Sequence, residues 1–217
     1  VSKMLPVWIV LLGSLGLAVN ASNSPVATAH STHGMMIDAG SSGSRIHVFS
    51  WNKRVFKKHP IPLSIPQSNG AFTARIRPSI DSFTRLSDST DKLNPNPLTK
   101  GHHFHKNFRD NEEPLDREGL YKHLDFLINF AKNQLSQLEE SWSSFPIYLR
   151  AAGNVRNLPP SNRTVLLQGI RDYMGNKSAC PFYSQFDSVR VLSGEEEAAF
   201  AWTGANFLHD TLLPDLE

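Results

Sequence analysis

The sequence predicts an α/β domain, and three observations predict it. Two apolar runs, Gly34–Ile37 and Arg45–Trp51, flank a turn of Gly and Ser, the pattern of strand, turn, strand. The second half of the chain alternates stretches of helical and of strand periodicity. Hydrophobic residues make up 40% of the 217 and charged residues 19%, enough apolar material for a packed core. That length suits one sizeable domain. A formal net charge of +2 is too close to neutral to argue for a nucleic acid or an anionic membrane surface as partner.

The elements follow in order. Lys3 precedes an uncharged apolar stretch, Leu5–Val19. It is shorter than the about 20 residues of a spanning helix and suits the core of a signal peptide. Small residues at Val19-Asn20-Ala21 place cleavage after Ala21, so residues 1–21 are expected to be a signal peptide. The alternative is an uncleaved membrane anchor through residues 5–19. Both send the domain into the secretory pathway, to the Golgi or ER lumen, the cell surface or the outside. Residues 22–33 read as a polar linker, and the domain is expected to run over 34–217.

Gly34–Ile37 reads as a short buried strand. In the next strand Ile46, Val48 and Ser50 fall on one face, and His47, Phe49 and Trp51 on the other. Asn52–Pro78 is basic and rich in Pro, with room for one edge strand near Thr73–Ile76. Residues 79–113 are poor in apolar side chains and read as an exposed insertion. Within it, His102, His103 and His105 could bind a transition metal, but they lack an acidic or Cys partner and suit a polar loop.

Leu120, Leu124, Leu127, Ile128, Ala131, Leu135 and Leu138 form a helical stripe. Asp116 is its expected N-cap, with Leu115 and Leu120 as a hydrophobic staple. Phe145–Arg150 reads as a strand. A second helix, capped by Ser161, runs through Met174 and stops at Gly175. A strand over Ser188–Leu192 and a helix over 194–208 complete the pattern. The single cysteine, Cys180, cannot close an internal disulfide and points to a partner elsewhere. Asn162-Arg163-Thr164 and Asn176-Lys177-Ser178 are glycosylation sequons that would fit lumenal surface loops.

Three stretches carry chemistry. In DAGSSGSR, Asp38–Arg45, a Gly/Ser turn can aim backbone N–H groups and the hydroxyls of Ser41, Ser42 and Ser44 at one anion. Asp38 beside a bound phosphate would repel it unless a divalent cation lies between them. The site is then a metal–phosphate site in which Asp38 holds the metal through water. An ordinary hairpin turn is the competing explanation. In VLSGEEEAAFAW, Val191–Trp202, Ser193 and Glu196 form a capping box, and Glu195–Glu197 sit where the helix dipole favours acids. A carboxylate held at a strand-to-helix junction also suits a general base. In YLRAAGNVRNLPP, Tyr148–Pro160, Arg156 either contacts a phosphate or pairs with an acid.

Together these stretches resemble the ecto-nucleoside triphosphate diphosphohydrolase family, the apyrases and their Golgi nucleoside-diphosphatase relatives. MIDAGSSGSRIHVFSW is similar to the family's first conserved region, with Gly43 closer to the diphosphatase-like branch. EEEAAFAWTGANFL is similar to the third, with Trp202, Asn206 and Leu208 at matching places. The resemblance covers roughly residues 34–209. It implies an actin-like fold of two ribonuclease-H-like halves, with a nucleoside di- or triphosphate and Mg or Ca in the cleft between them. It implies that Asp38 orients water on the metal, that Ser41, Ser42, Gly43 and Ser44 cradle phosphate, and that Glu196 is the base.

Two departures stand out. The family's second region usually reads Ala-Thr-Ala-Gly before an apolar residue and Arg; here Ala151 or Ala152 replaces the threonine. The family's second phosphate loop, base pocket and C-terminal lobe are expected after Glu217, so the chain reads as the first lobe, weak or inactive alone. Two other readings compete. One is an exopolyphosphatase-type hydrolase, which shares the architecture and similar loops. The other is a non-catalytic secreted nucleotide-binding module.

Overall fold

The computed structural model describes residues 31–52, 66–68, 70–84 and 114–209. The expected leader or anchor, most of the linker, the His102–His105 cluster and residues 85–113 of the expected insertion lie outside them. Among the described residues no helix is long and apolar enough to cross a membrane.

The centre is a five-stranded mixed sheet, a mixed α/β architecture as expected. β1 (Ser31–Gly40) and β2 (Gly43–Asn52) form a hairpin joined by Ser41 and Ser42. β3 (Thr73–Ile76) lies antiparallel to β2 at one edge, where an edge strand was expected. β4 (Ile147–Ala151) and β5 (Val189–Val191) add in parallel on the other side of β1, giving the order β3-β2-β1-β4-β5.

β1 begins three residues earlier than the apolar pattern suggested, because Ser31, Thr32 and His33 pair with Asn52, Trp51 and Ser50. The ladder is made by backbone groups, so polar side chains do not end it. His33 is buried against Phe145, with ring centroids 5.3 Å apart. The start of the expected insertion is also part of the fold. Ile80 is fully buried in the short 3-10 helix Ile80–Phe83, and Thr84 bridges to Leu115.

Helix α1 (Arg117–Gln134) follows. Asp116 caps it as expected, its carboxylate accepting the Gly119 N–H at 2.9 Å. The stripe was expected to continue as α-helix to Leu138, yet the helix ends at Gln134 and passes into a 3-10 stretch, Ser136–Ser144. There the Leu135 carbonyl accepts both the Leu138 N–H, in the tighter 3-10 pattern, and the indole N–H of Trp142, each at 2.9 Å. A single turn, α2 (Gly153–Arg156), leaves β4. Helix α3 (Pro160–Gly175) starts one residue before the expected cap Ser161, whose hydroxyl instead bonds the Asn162 side chain. Proline at the first helical position has its φ preset and no N–H to satisfy, so a side-chain cap is dispensable. Helix α4 (Gly194–Leu208) leaves β5.

Alternation along β1, β2 and β4 sorts the core into two faces. Met35, Ile37, Ala39, Ile46, Val48, Ile147 and Leu149 meet Leu120, Leu124 and Leu127 of α1 and Leu166 and Ile170 of α3. α3 packs closely at Gly169, where a Cβ would come within 2.6 Å of Leu115, just ahead of α1, and 3.4 Å of Leu120 within it. On the opposite face Met36, Phe49 and Leu192 pack with Trp51, Tyr148 and Phe200. The faces of β2 are therefore assigned as expected, and both are covered near its middle.

Cys180 is fully buried, and burial pushes its thiol up to about 11. Among the described residues it packs as a small apolar side chain. Of the two sequons, Asn176 is exposed beyond the end of α3, whereas Asn162 lies in its first turn, half-buried.

Candidate functional site

β1, β4 and β5 run in parallel, so their carboxyl ends share one edge of the sheet. Such edges are where open α/β sheets gather ligand-binding groups. Each of the three stretches singled out in the sequence leaves one of these ends: the Ser41–Ser42 turn after β1, Ala152–Arg156 after β4 and Ser193–Glu197 after β5. Contacts tie them together. Ala152 N–H donates to the Ala39 carbonyl at 3.4 Å, Leu192 N–H to the Ala151 carbonyl at 2.8 Å, and the Asn154 amide to the Ser41 carbonyl at 3.5 Å.

Ser41 and Ser42 form an exposed two-residue turn. Gly43 allows it. Its φ is +138°, and a Cβ there would press into the Ile76 carbonyl oxygen, far inside contact distance. Arg75 donates to the Ser42 hydroxyl at 2.5 Å, a basic group already beside the turn. Ser44 departs from expectation. Its hydroxyl is fully buried on the opposite face, 2.9 Å from Nε2 of His123 in α1. Its place in the strand, in phase with Ile46 and Val48, turns it there. The hydroxyls available at the turn are those of Ser41 and Ser42.

Asp38 is half-buried on the face shared by Met36, directly opposite Arg45 and beside Arg150 in register. Burial raises its carboxyl above the usual range; Arg45 and Arg75 pull it down, and Glu197 pushes it up. Glu197 lies in the first turn of α4. It is held by Arg156, whose guanidinium lies 2.6 Å from the Glu197 carboxylate and also donates to the Leu192 carbonyl at 2.8 Å. Of the two roles open to Arg156, the structure displays pairing with an acid.

Glu196 is occupied. The Ser193 N–H donates to its carboxylate at 2.9 Å, its own N–H donates to the Ser193 hydroxyl at 3.1 Å, and Arg190 pairs with its other oxygen. The Ser193 N–H bond, with Arg190 second among the attractions, holds Glu196 below the usual carboxylate range. The capping box is formed in full, and both carboxylate oxygens of Glu196 are engaged, whereas Arg156 holds one oxygen of Glu197. Exposed Glu195 is likewise lowered, first by the helix-start N–H and then by Ser193.

Sequence reasoning passed over Arg150. It is buried under the Asp38 face, lowered by burial to about 10, and donates to the Leu149, Asp187 and Ser188 carbonyls while lying 5.3 Å from the Tyr148 ring. No cluster of His, Cys, Asp or Glu among the described residues could by itself enclose a metal ion. The half-buried Asp38 carboxylate beside the Ser41–Ser42 turn nonetheless suits a cation that is completed by waters and phosphate oxygens.

His123 supplies a test of how the fold holds this edge. Burial pushes its imidazole from 6.5 to about 4, so the fold keeps it neutral while the unfolded chain takes up a proton below pH 6.5. Its contribution to stability is therefore complete above pH 6.5 and falls as the pH drops from there to about 4, by about 3 kcal/mol. Buried His33, lowered for the same reason, steepens the decline. Thermal unfolding between pH 7 and pH 4 is expected to follow this slope, and His123→Leu to flatten it.

The model of the GDA1/CD39 (nucleoside phosphatase) family matches residues 26–97 and 113–213. The chain is 33% identical over 179 residues to a Golgi apyrase of Saccharomyces cerevisiae, covering 81% of this chain and 24% of that protein. It is 27% identical to a guanosine-diphosphatase of Schizosaccharomyces pombe (82% and 24%) and 26% identical to ectonucleoside triphosphate diphosphohydrolase 5 of Ailuropoda melanoleuca (87% and 34%). The chain thus spans about a quarter to a third of the length of these relatives. Among solved structures it is similar to a nucleoside triphosphate hydrolase of Neospora caninum, with a TM-score of 0.44 and 16% identity, covering 82% of this chain and 32% of that one.

Proposed function

The chain belongs to the GDA1/CD39 (nucleoside phosphatase) family, and from that premise we propose that it works in the hydrolysis of the terminal phosphate of nucleoside di- or triphosphates. The observation that carries the reading is the gathering of the Ser41–Ser42 turn, Ala152–Arg156 and Ser193–Glu197 at the carboxyl ends of β1, β4 and β5, tied together by the Asn154–Ser41 bond and the Arg156–Glu197 pair. Backbone N–H groups of the turn, with the Ser41 and Ser42 hydroxyls, bind the terminal phosphate. Ser44 contributes through its backbone, since its hydroxyl is turned into the core. Glu197 accepts the proton of the attacking water, and Arg156 holds its carboxylate in place. Glu196, first expected as the base, fixes the start of α4. Asp38 holds Mg or Ca through water, and the ion supplies charge stabilisation for the phosphoryl oxygens.

In this reading the sheet is the ribonuclease-H-like first lobe of an actin-like two-lobed fold. The nucleoside base is chosen by the other lobe, and the 217 residues alone turn over nucleotide weakly. The names of the relatives support a compartment of the secretory pathway. Asp38→Asn tests the metal assignment. It is expected to raise the Mg concentration needed for half-maximal phosphate release from GDP by about tenfold, the usual scale for an outer-sphere partner. An unchanged requirement would remove Asp38 from the metal site.

A further inference from the structure

The hydrogen bond between His123 and Ser44 links two distant parts of the chain. The Ser44 hydroxyl is fully buried, His123 is 3% exposed, and Nε2 lies 2.9 Å from Oγ across 79 residues of sequence. Neither group reaches solvent, so neither can touch a substrate. Stability alone gives no reason for the pair. Nδ1 of His123 is buried without a partner among the described residues, and Phe83 closes the site with its ring centroid 5.4 Å away. A matched apolar pair in the same space would be as stable or more so. What a directional bond adds is position. Ser44 immediately follows Gly43, which is wedged under the Ile76 carbonyl, and Ser42 is held by Arg75. The His123 bond fixes the remaining side of the turn to α1.

We propose that His123 is a positioning residue which, through the Ser44 hydroxyl, sets the place of the Ser41–Ser42 turn and so its fit to a nucleotide's terminal phosphate. This rests on the nucleoside phosphatase reading for the ligand, but the anchoring itself is measurable without it. The neutral imidazole and the serine hydroxyl share one proton bond from opposite layers of the fold, so a shift of α1 moves the turn with it. Phosphate binding and turnover respond through the turn, with no chemistry at His123.

The test, made in a longer polypeptide that carries this chain, compares the wild type with Ser44→Ala, His123→Leu, the double variant and His123→Gln. Amide hydrogen exchange at 41–44, thermal unfolding and affinity for GDP with Mg are measured in each. Either single change is expected to lower stability and quicken exchange at the turn. In the double variant both polar partners are gone, so stability returns. Exchange at the turn stays about tenfold faster and GDP binds about tenfold more weakly, the scale of one lost hydrogen bond. His123→Gln, whose amide can reach the Ser44 hydroxyl, recovers both. Exchange and affinity that return together with stability in the double variant would overturn the proposal. Failure of the wild type to bind GDP, with the exchange pattern as expected, would leave the anchor standing and sink the nucleotide reading instead.

Discussion

Glu197→Gln is expected to lower phosphate release from GDP by about a thousandfold, while Glu196→Gln lowers it by less than about tenfold. The two residues are neighbours, yet they face different tasks. Glu196 closes the capping box with Ser193 and pairs with Arg190 at the surface. Glutamine serves a capping box as well as glutamate, and an exposed ion pair contributes about 1 kcal/mol at most, so Glu196→Gln should leave a folded enzyme. Glu197 stands in the first turn of α4, and Arg156 holds it from the β4 side. Glutamine there keeps the shape and loses the proton acceptor. Comparable losses in the two variants would reject the division of labour. Equal activity in wild type and Glu197→Gln would remove the base assignment.

Gly43→Ala is expected to cost about 3 kcal/mol or more of stability, the largest effect of a single methyl group in the described fold. Two penalties combine. A φ of +138° is strained for any residue with a Cβ, and that Cβ would meet a backbone carbonyl, Ile76, that is itself held in β3. The ladder cannot yield without breaking the pairing of Ser44 with Ile76. Urea unfolding of Gly43→Ala beside Gly70→Ala makes the comparison, because a Cβ at Gly70 meets nothing within 4 Å. A loss at position 43 no greater than at position 70 would contradict the steric account of the turn.

Much of this was legible in the sequence where side-chain pattern and backbone role coincide. The hairpin, the edge strand at Thr73–Ile76, the Asp116 cap and the start of α4 are such places. Pattern fell short where backbone pairing outran it. Ser31–His33 are polar and still strand, because Ser50–Asn52 lie across from them. At the end of α1 the Leu135 carbonyl meets a tryptophan seven residues further on, a contact that periodicity does not encode.

The site divides in the same way. Its three segments were legible, since small residues, acids and a strand-to-helix junction mark them. The direction of Ser44 was legible too: period-two alternation puts it with Ile46 and Val48, hence in the core. So was the capping role of Glu196. Successive helical residues differ by about 100°, so a glutamate that completes a capping box leaves its neighbour to point elsewhere. What no pattern held was the arrival of Arg156 at Glu197, because that contact depends on how the short turn after β4 places its last residue. His123 was hidden for a related reason. It sits on an apolar helical stripe, where a single polar residue is marked as unusual but its partner lies 79 residues away.

The most direct measurement is inorganic phosphate released from GDP, UDP, ATP and polyphosphate, with Mg or Ca and with a chelator. It would be made on this chain and on a longer polypeptide that carries it. The expected result is metal-dependent release from the nucleotides, weak from the 217 residues alone and strong from the longer protein, with little from polyphosphate. Release from polyphosphate in preference to every nucleotide, or nucleotide hydrolysis undiminished by the chelator, would contradict the account.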